Sequence, residues 1–296
     1  QRLRAAFGAL PKAASVAPVV QAAPRVAGRR VLLVDKPGTT QTYFWFGNVG
    51  ASRTDPERTV QSVVNTVFGG RFTSMLNTEL RIKSGLTYGA NSSFSRPSQP
   101  GSFRIASYTE TGKTTQAIDM ALDVLARLHK DGLDADQLRS SQSYMLGQFP
   151  PSIETNGQIA ARLADMLFHG LGRDDVDEYA ARVTQVDAAA VRSAIEQSFP
   201  QPDDLVIVLI GDAAKIREAF ASIQPMPLVE AIISPTTMPI SPRVMPRRIP
   251  VITKGTAPGR TIARNCIARG MEMLFAISIS SRLVVRTPDA VDRRMG

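Results

Sequence analysis

From Arg30 to Ile210, strand-like and helix-like apolar patterns alternate, with strands arriving in hairpin-like pairs and helices clustering between them. That order specifies an α+β domain, a mostly antiparallel sheet with helices layered on one face. Residues 30–35 (RVLLVD) read as a short strand ended by the Lys36-Pro37-Gly38 turn, and residues 42–50 as a second, with Tyr43, Trp45 and Gly47 on one face. Asp55-Pro56-Glu57 opens a helix carrying Val60, Val63, Val64 and Val67 at helical spacing. Gly69-Gly70 breaks it, and a second helix is expected over 72–83. A turn at Ser84-Gly85 leads into a strand over 88–95, and 97–101 forms the hairpin to a strand over 102–109. Further helices are predicted over 116–130, ended by Gly132, over 134–147 capped by Asp134, over 157–169, and over 188–198 capped by Asp187. Residues 205–210 (LVIVLI) form a buried strand, and no internal repeat is found.

This patterned body, 29–222, is flanked by two stretches of different texture. Residues 1–28 are Ala/Pro/Val-rich and read as an interdomain linker after the end of a preceding element, marked by Leu3, Phe7 and Leu10. Residues 223–296 form a Pro/Arg-rich tail. Its seven prolines from Pro225 to Pro250 forbid a regular helix or a central strand. The texture of 234–296 resembles out-of-frame translation, so the tail is expected to be disordered or non-native. It also carries most of the net charge of +9, with eleven Lys/Arg against four Asp/Glu from Pro225 onward. The body is nearly balanced, which argues against a nucleic-acid-binding face. One cysteine, Cys266, excludes an internal disulfide framework, and no apolar run reaches the roughly 18 residues of a membrane span.

The usual hydrolase and nucleotide motifs are missing: no G-x-S-x-G elbow, no phosphate loop, no G-x-G-x-x-G and no H-x-x-E-H. The two histidines, His129 and His169, are forty residues apart, whereas a catalytic zinc needs three protein ligands. Asp165 and His169 could share a helix face, but each histidine near a helix end reads first as a partner of the helix dipole or of terminal carbonyls. This chain alone therefore offers no catalytic residue and no metal site.

The informative stretch is 68–90, FGGRFTSMLNTELRIKSGLTYGA. Taken locally, Arg81 is a helix-end cation and Tyr88 a strand aromatic, and a helix-turn-strand of this length can bring both to one edge of the sheet. The stretch also resembles the second, non-zinc half of the insulinase/pitrilysin/mitochondrial-processing-peptidase family of zinc metallopeptidases. The matching residues are Gly69, Gly70, Phe72, Leu80, Arg81, Gly85, Leu86 and Tyr88. Flanking matches include Lys36-Pro37-Gly38, Pro100-Gly101-Ser102-Phe103, and Val183-Thr184 with Asp187.

The resemblance implies a substrate-binding, zinc-free half that acts only with an H-x-x-E-H half holding the zinc. That partner is either part of the same precursor chain or a separate subunit of a heterodimer. Arg81 would anchor a carbonyl of the peptide substrate, and Tyr88 would donate to the carbonyl that becomes tetrahedral. The loop of Gly69, Gly70 and Phe72 would lie near the substrate. No cofactor is expected on this chain, and relatives of this texture suggest the bacterial periplasm. The alternative is a proteolytically inert scaffold of the same fold, for which retention of both Arg81 and Tyr88 has no purpose.

Overall fold

The computed structural model describes Ala5, Gly8, Ala9 and residues 23–220 and 228–231. Its centre is a six-stranded sheet in the order β3-β4-β2-β5-β1-β6. The strands are β1 (Arg30–Asp35), β2 (Gln41–Val49), β3 (Asn91–Phe94), β4 (Ser102–Glu110), β5 (Val206–Gly211) and β6 (Leu228–Ala231). The β3/β4, β2/β4 and β2/β5 pairs are antiparallel, while β1 pairs in parallel with β5 and with β6. The sheet is thus mostly antiparallel, as the strand pattern predicts.

Side-chain alternation splits the strands between two apolar layers. Phe44, Phe46, Phe103, Ile105, Ile207 and Leu209 face the main core, where the helices supply Val63, Val64, Leu80, Leu125, Leu128 and Ile195. Leu32, Val34, Trp45, Val206 and Val208 form the second layer with Val26. Val26 lies in the stretch read as linker. Buried Asn48 holds it against the sheet, donating to the Val26 carbonyl at 2.8 Å and accepting from its N–H at 3.0 Å.

The helices are α1 (Arg58–Asn65), α2 (Met75–Asn77), α3 (Thr114–Asp131), α4 (Ala135–Gln148), α5 (Asn156–His169), α6 (Asp174–Asp177), α7 (Tyr179–Thr184), α8 (Ala188–Ser198) and α9 (Ala213–Phe220). The predicted caps form: Asp134 makes a capping box with Gln137, and Asp187 accepts from the Ala190 N–H. Gly132, with φ of 70°, ends α3. Two short helices, α6 and α7, are not evident from the sequence pattern.

The structure revises the segment around 66–95. Wide π-turns span Thr66–Gly70 and Thr78–Lys83, directly after α1 and α2. The expected helix over 72–83 is therefore a short α-turn running into a π-turn. The expected strand over 88–95 begins only at Asn91, so Tyr88 precedes the strand. In the proline-rich stretch, Leu228–Ala231 pairs with β1. The expectations for Leu3, Phe7, Leu10 and 234–296 fall outside the described residues.

Four phenylalanines fasten this region to the core. Phe94 and Phe103 lie 4.9 Å apart between ring centroids, Phe103 and Phe199 4.9 Å, and Phe68 and Phe199 6.1 Å. Such aromatic pairs contribute about 0.5–1.5 kcal/mol each beyond their burial. They tie the π-turn of Phe68 and strand β3 to α8, setting the walls of the cleft that follows.

Candidate functional site: an aromatic cleft around Arg81 and Tyr88

Arg81 projects from the second π-turn, whose backbone is anchored by fully buried Leu80. The Leu80 carbonyl accepts from the N–H groups of Leu86 (2.9 Å) and Thr87 (3.2 Å), folding the chain back at Gly85, where φ is 62°. Buried Leu86 then enters the core, and its carbonyl accepts from Thr109 Oγ1 at 2.6 Å. Two anchored leucines thus bracket a tight reversal that returns Tyr88 to the side of Arg81.

The Arg81 guanidinium lies 4.6 Å from the centroid of the Tyr88 ring and 4.6 Å from that of Phe72, between two aromatic faces. Both rings are largely exposed, Tyr88 at 73% and Phe72 at 60%. Among the described residues neither the Arg81 guanidinium nor the Tyr88 hydroxyl has a hydrogen-bond partner. Nearby Glu79 is occupied elsewhere, accepting from Lys83 (3.0 Å) and Arg127 (3.2 Å). Burial works against its charge, but those hydrogen bonds outweigh it and hold the carboxyl below its ordinary range.

Gly69, Gly70, Phe72, Arg81 and Tyr88 all line one open cleft of about 460 Å³. The structure therefore brings the five sequence-derived residues together. Gly69, however, has a role within the chain itself: a Cβ there would meet Ser92 Oγ at 2.3 Å and Ser92 N at 2.6 Å. A Cβ at Gly70 would meet the Asn65 carbonyl at 3.0 Å. Gly69 lets the π-turn seat directly on β3, where Asn65 Nδ2 donates to the Ser92 carbonyl at 3.1 Å, and Gly70 lets the turn close against Asn65.

Three lining residues escape sequence reasoning. Asn77 is buried, donates to the Phe72 carbonyl at 2.7 Å and accepts from the Ala90 N–H at 3.3 Å. It clamps the Phe72 loop to the segment carrying Tyr88. Arg71 reaches Ser140 Oγ on α4 at 2.9 Å, and its guanidinium lies 5.9 Å from the Tyr144 ring. Arg71 and Arg81 are the charged residues of the lining, so the cleft offers donors and aromatic faces but no carboxylate. That composition suits carbonyl oxygens and other electron-rich groups.

The histidines sit elsewhere. His129 Nε2 is 3.0 Å from the Pro200 carbonyl, a contact outside its own helix, and burial pushes its imidazole below the ordinary range despite that bond. His169 Nε2 is 3.6 Å from Asp165 and its Nδ1 3.3 Å from Ser98 Oγ. Among the described residues no three His, Cys, Asp or Glu side chains converge, so they do not fit a zinc site.

Residues 2–145 match the family described as the peptidase M16 inactive domain. The chain is 28% identical over 214 residues to an uncharacterized zinc protease of Streptomyces coelicolor, a match covering 70% of this chain and 46% of that protein. It is 26% identical over 155 residues to an uncharacterized zinc protease of Bacillus subtilis, covering 52% and 37%. The solved structure of a peptidase M16 inactive domain from Pseudomonas fluorescens superposes with a TM-score of 0.62 at 27% identity, covering 69% of this chain and 48% of that one. A Helicobacter pylori protease gives the same TM-score at 16% identity, covering 70% and 50%, and shares the fold. Residues 2–145 are thus similar to the inactive domain of the peptidase M16 family, and the chain shares the fold of the solved inactive domain from Pseudomonas fluorescens. The chain spans less than half the length of the curated relatives it matches.

Proposed function

We propose that this chain is the substrate-binding half of a zinc metalloendopeptidase, contributing Arg81 and Tyr88 to a site completed by an H-x-x-E-H half. The observation supporting this reading is the stack of Phe72, Arg81 and Tyr88 at the mouth of a carboxylate-free cleft. Arg81 presents fixed planar donors that suit the backbone carbonyls of an extended peptide. The Tyr88 hydroxyl is free to donate to an oxygen that gains charge as the scissile carbonyl becomes tetrahedral. Stacking on Arg81 limits the positions its ring adopts, so the donor is oriented before substrate arrives. The zinc and its ligands belong to the partner half, in the same precursor chain or in a separate subunit, and the periplasm is the proposed compartment.

The test is reconstitution. The purified chain, a candidate H-x-x-E-H half, and their mixture are assayed against a fluorogenic peptide set with zinc present. Turnover by the mixture that depends on Arg81 and Tyr88 supports the reading. Turnover that persists undiminished in Arg81→Ala and Tyr88→Phe variants leaves the chain a scaffold.

A further inference from the structure

A second cavity, of about 310 Å³, lies on another face of α4: Met145 lines it, whereas the adjacent Tyr144 lines the Arg81 cleft. Five arginines converge on it from separate parts of the chain: Arg53 before α1, Arg58 on α1, Arg96 in the β3–β4 hairpin, Arg162 on α5 and Arg182 on α7. One carboxylate, Asp175, joins them in the lining and is 3% exposed. Its carboxylate accepts from Arg53 (2.9 Å) and Arg58 (2.7 Å) and forms ion pairs with Arg162 at 2.7 Å and Arg182 at 3.9 Å, while its backbone carbonyl accepts from Arg162 (3.3 Å) and Arg182 (2.9 Å).

The neighbouring acids do not reduce this to a set of matched pairs. Asp165 takes Arg53 Nε at 2.8 Å from outside the lining, and Glu178 lies 3.7 Å from Arg182. Asp55 acts on Arg96 only through its field. Arg96 donates to the Gln61 amide oxygen at 3.1 Å and to the Arg58 carbonyl at 3.4 Å. Burial first, and the nearby charges of Arg53 and Arg58 in addition, push it down to about 10 despite Asp55. The Nε atoms of Arg96, Arg162 and Arg182 are buried without a hydrogen-bond partner, which folded proteins mostly avoid. Five guanidinium groups converging on one lining carboxylate, their mutual repulsion, and room several times the ~30 Å³ of a water together describe a receptor for a compact anion.

We infer that this cavity binds a tetrahedral oxyanion carrying two or more negative charges, of the phosphate or pyrophosphate class. Planar guanidinium forks arriving from several directions match the oxygens of such a group, and its charge offsets the surplus of the arginines. The anion would bridge α1, α5 and α7 through their arginines and so brace the helices beside the cleft, a role independent of Arg81 and Tyr88.

The experiment is isothermal titration of the full chain with inorganic phosphate and with pyrophosphate, in chloride buffer at fixed ionic strength. Citrate, a polyanion of different shape, serves as the comparison. Thr59→Glu adds a negative charge to the lining without removing an arginine, and Arg96→Gln removes a buried donor. The expected result is saturable binding with a Kd below about 1 mM for pyrophosphate, weakened at least about tenfold in each variant that circular dichroism shows to be folded. If one variant does not fold, the other decides. The inference is overturned if folded wild-type chain shows no saturable binding, if binding is undiminished in the folded variants, or if citrate binds more tightly than pyrophosphate.

Discussion

The Arg81 guanidinium and the Tyr88 ring stack at 4.6 Å, so the two residues form one unit. Tyr88→Phe keeps the ring and removes only the hydroxyl. Because Tyr88 is mostly exposed and its hydroxyl makes no internal hydrogen bond, the stability of the variant should stay within about 0.5 kcal/mol of wild type. If the hydroxyl supports the tetrahedral oxygen, kcat of the reconstituted enzyme should fall by about 10²–10³ with KM little changed. Steady-state kinetics beside urea unfolding checks both halves. Unchanged kcat in a folded complex rules out the donor role.

The Arg81 guanidinium also lies over the Phe72 ring at 4.6 Å, which yields a milder prediction. An exposed cation–π contact contributes about 0.5–1 kcal/mol, so Phe72→Ala should raise KM roughly two- to fivefold by loosening the guanidinium. Stability should hardly change, because the ring is largely solvent-exposed. A kcat loss as large as that of Tyr88→Phe would show instead that Phe72 contacts the reacting group.

The two arginine clusters differ in how far sequence reveals them. Arg81 and Tyr88 are seven residues apart around one turn, so local reading could bring them to one edge of the sheet, and the resemblance gave them a purpose. The π-turns were invisible because apolar spacing near 3.6 residues does not register one widened turn. The apolar pattern therefore starts the strand at Tyr88, whereas it begins three residues later. Asn77 reads as an ordinary polar helix residue until the fold sets it between Phe72 and Ala90. Arg71 and Tyr144 meet only because α4 packs beside the first π-turn. The arginines around Asp175 span positions 53 to 182, and only tertiary packing assembles them. The sheet was more legible, because the alternation in β4 and the unbroken apolar run of β5 reflect burial directly.

Gly69 supplies a prediction about the walls of the cleft. Its absent Cβ would lie 2.3 Å from Ser92 Oγ and 2.6 Å from Ser92 N, and the latter is backbone that cannot rotate aside. Gly69→Ala should therefore push the π-turn off β3 and cost about 1–3 kcal/mol. Urea unfolding measures the loss, and faster amide exchange at Ser92 would localise it. Full stability in the variant would mean that the turn can shift without cost, leaving close approach to a ligand as the glycine's remaining role.

Asp175 carries the last prediction, on acid stability. Burial disfavours its charge, but hydrogen bonds from Arg58 and Arg53 and the field of Arg162 outweigh that and hold the carboxyl below its ordinary range. A depressed carboxylate stabilises the fold fully above its unfolded value of about 3.9, and that contribution is lost as pH falls from there through the lower folded value. Asp175→Asn leaves the arginines without their shared anion and should cost about 3–5 kcal/mol at pH 7. The gap between wild type and variant should narrow below pH ~3.9, where protonated Asp175 becomes the near-equivalent of asparagine. Urea unfolding at neutral and acid pH, in buffers without phosphate, measures both terms. An equal gap at both pH values would show that the shape of the side chain, and not its charge, holds the arginines together.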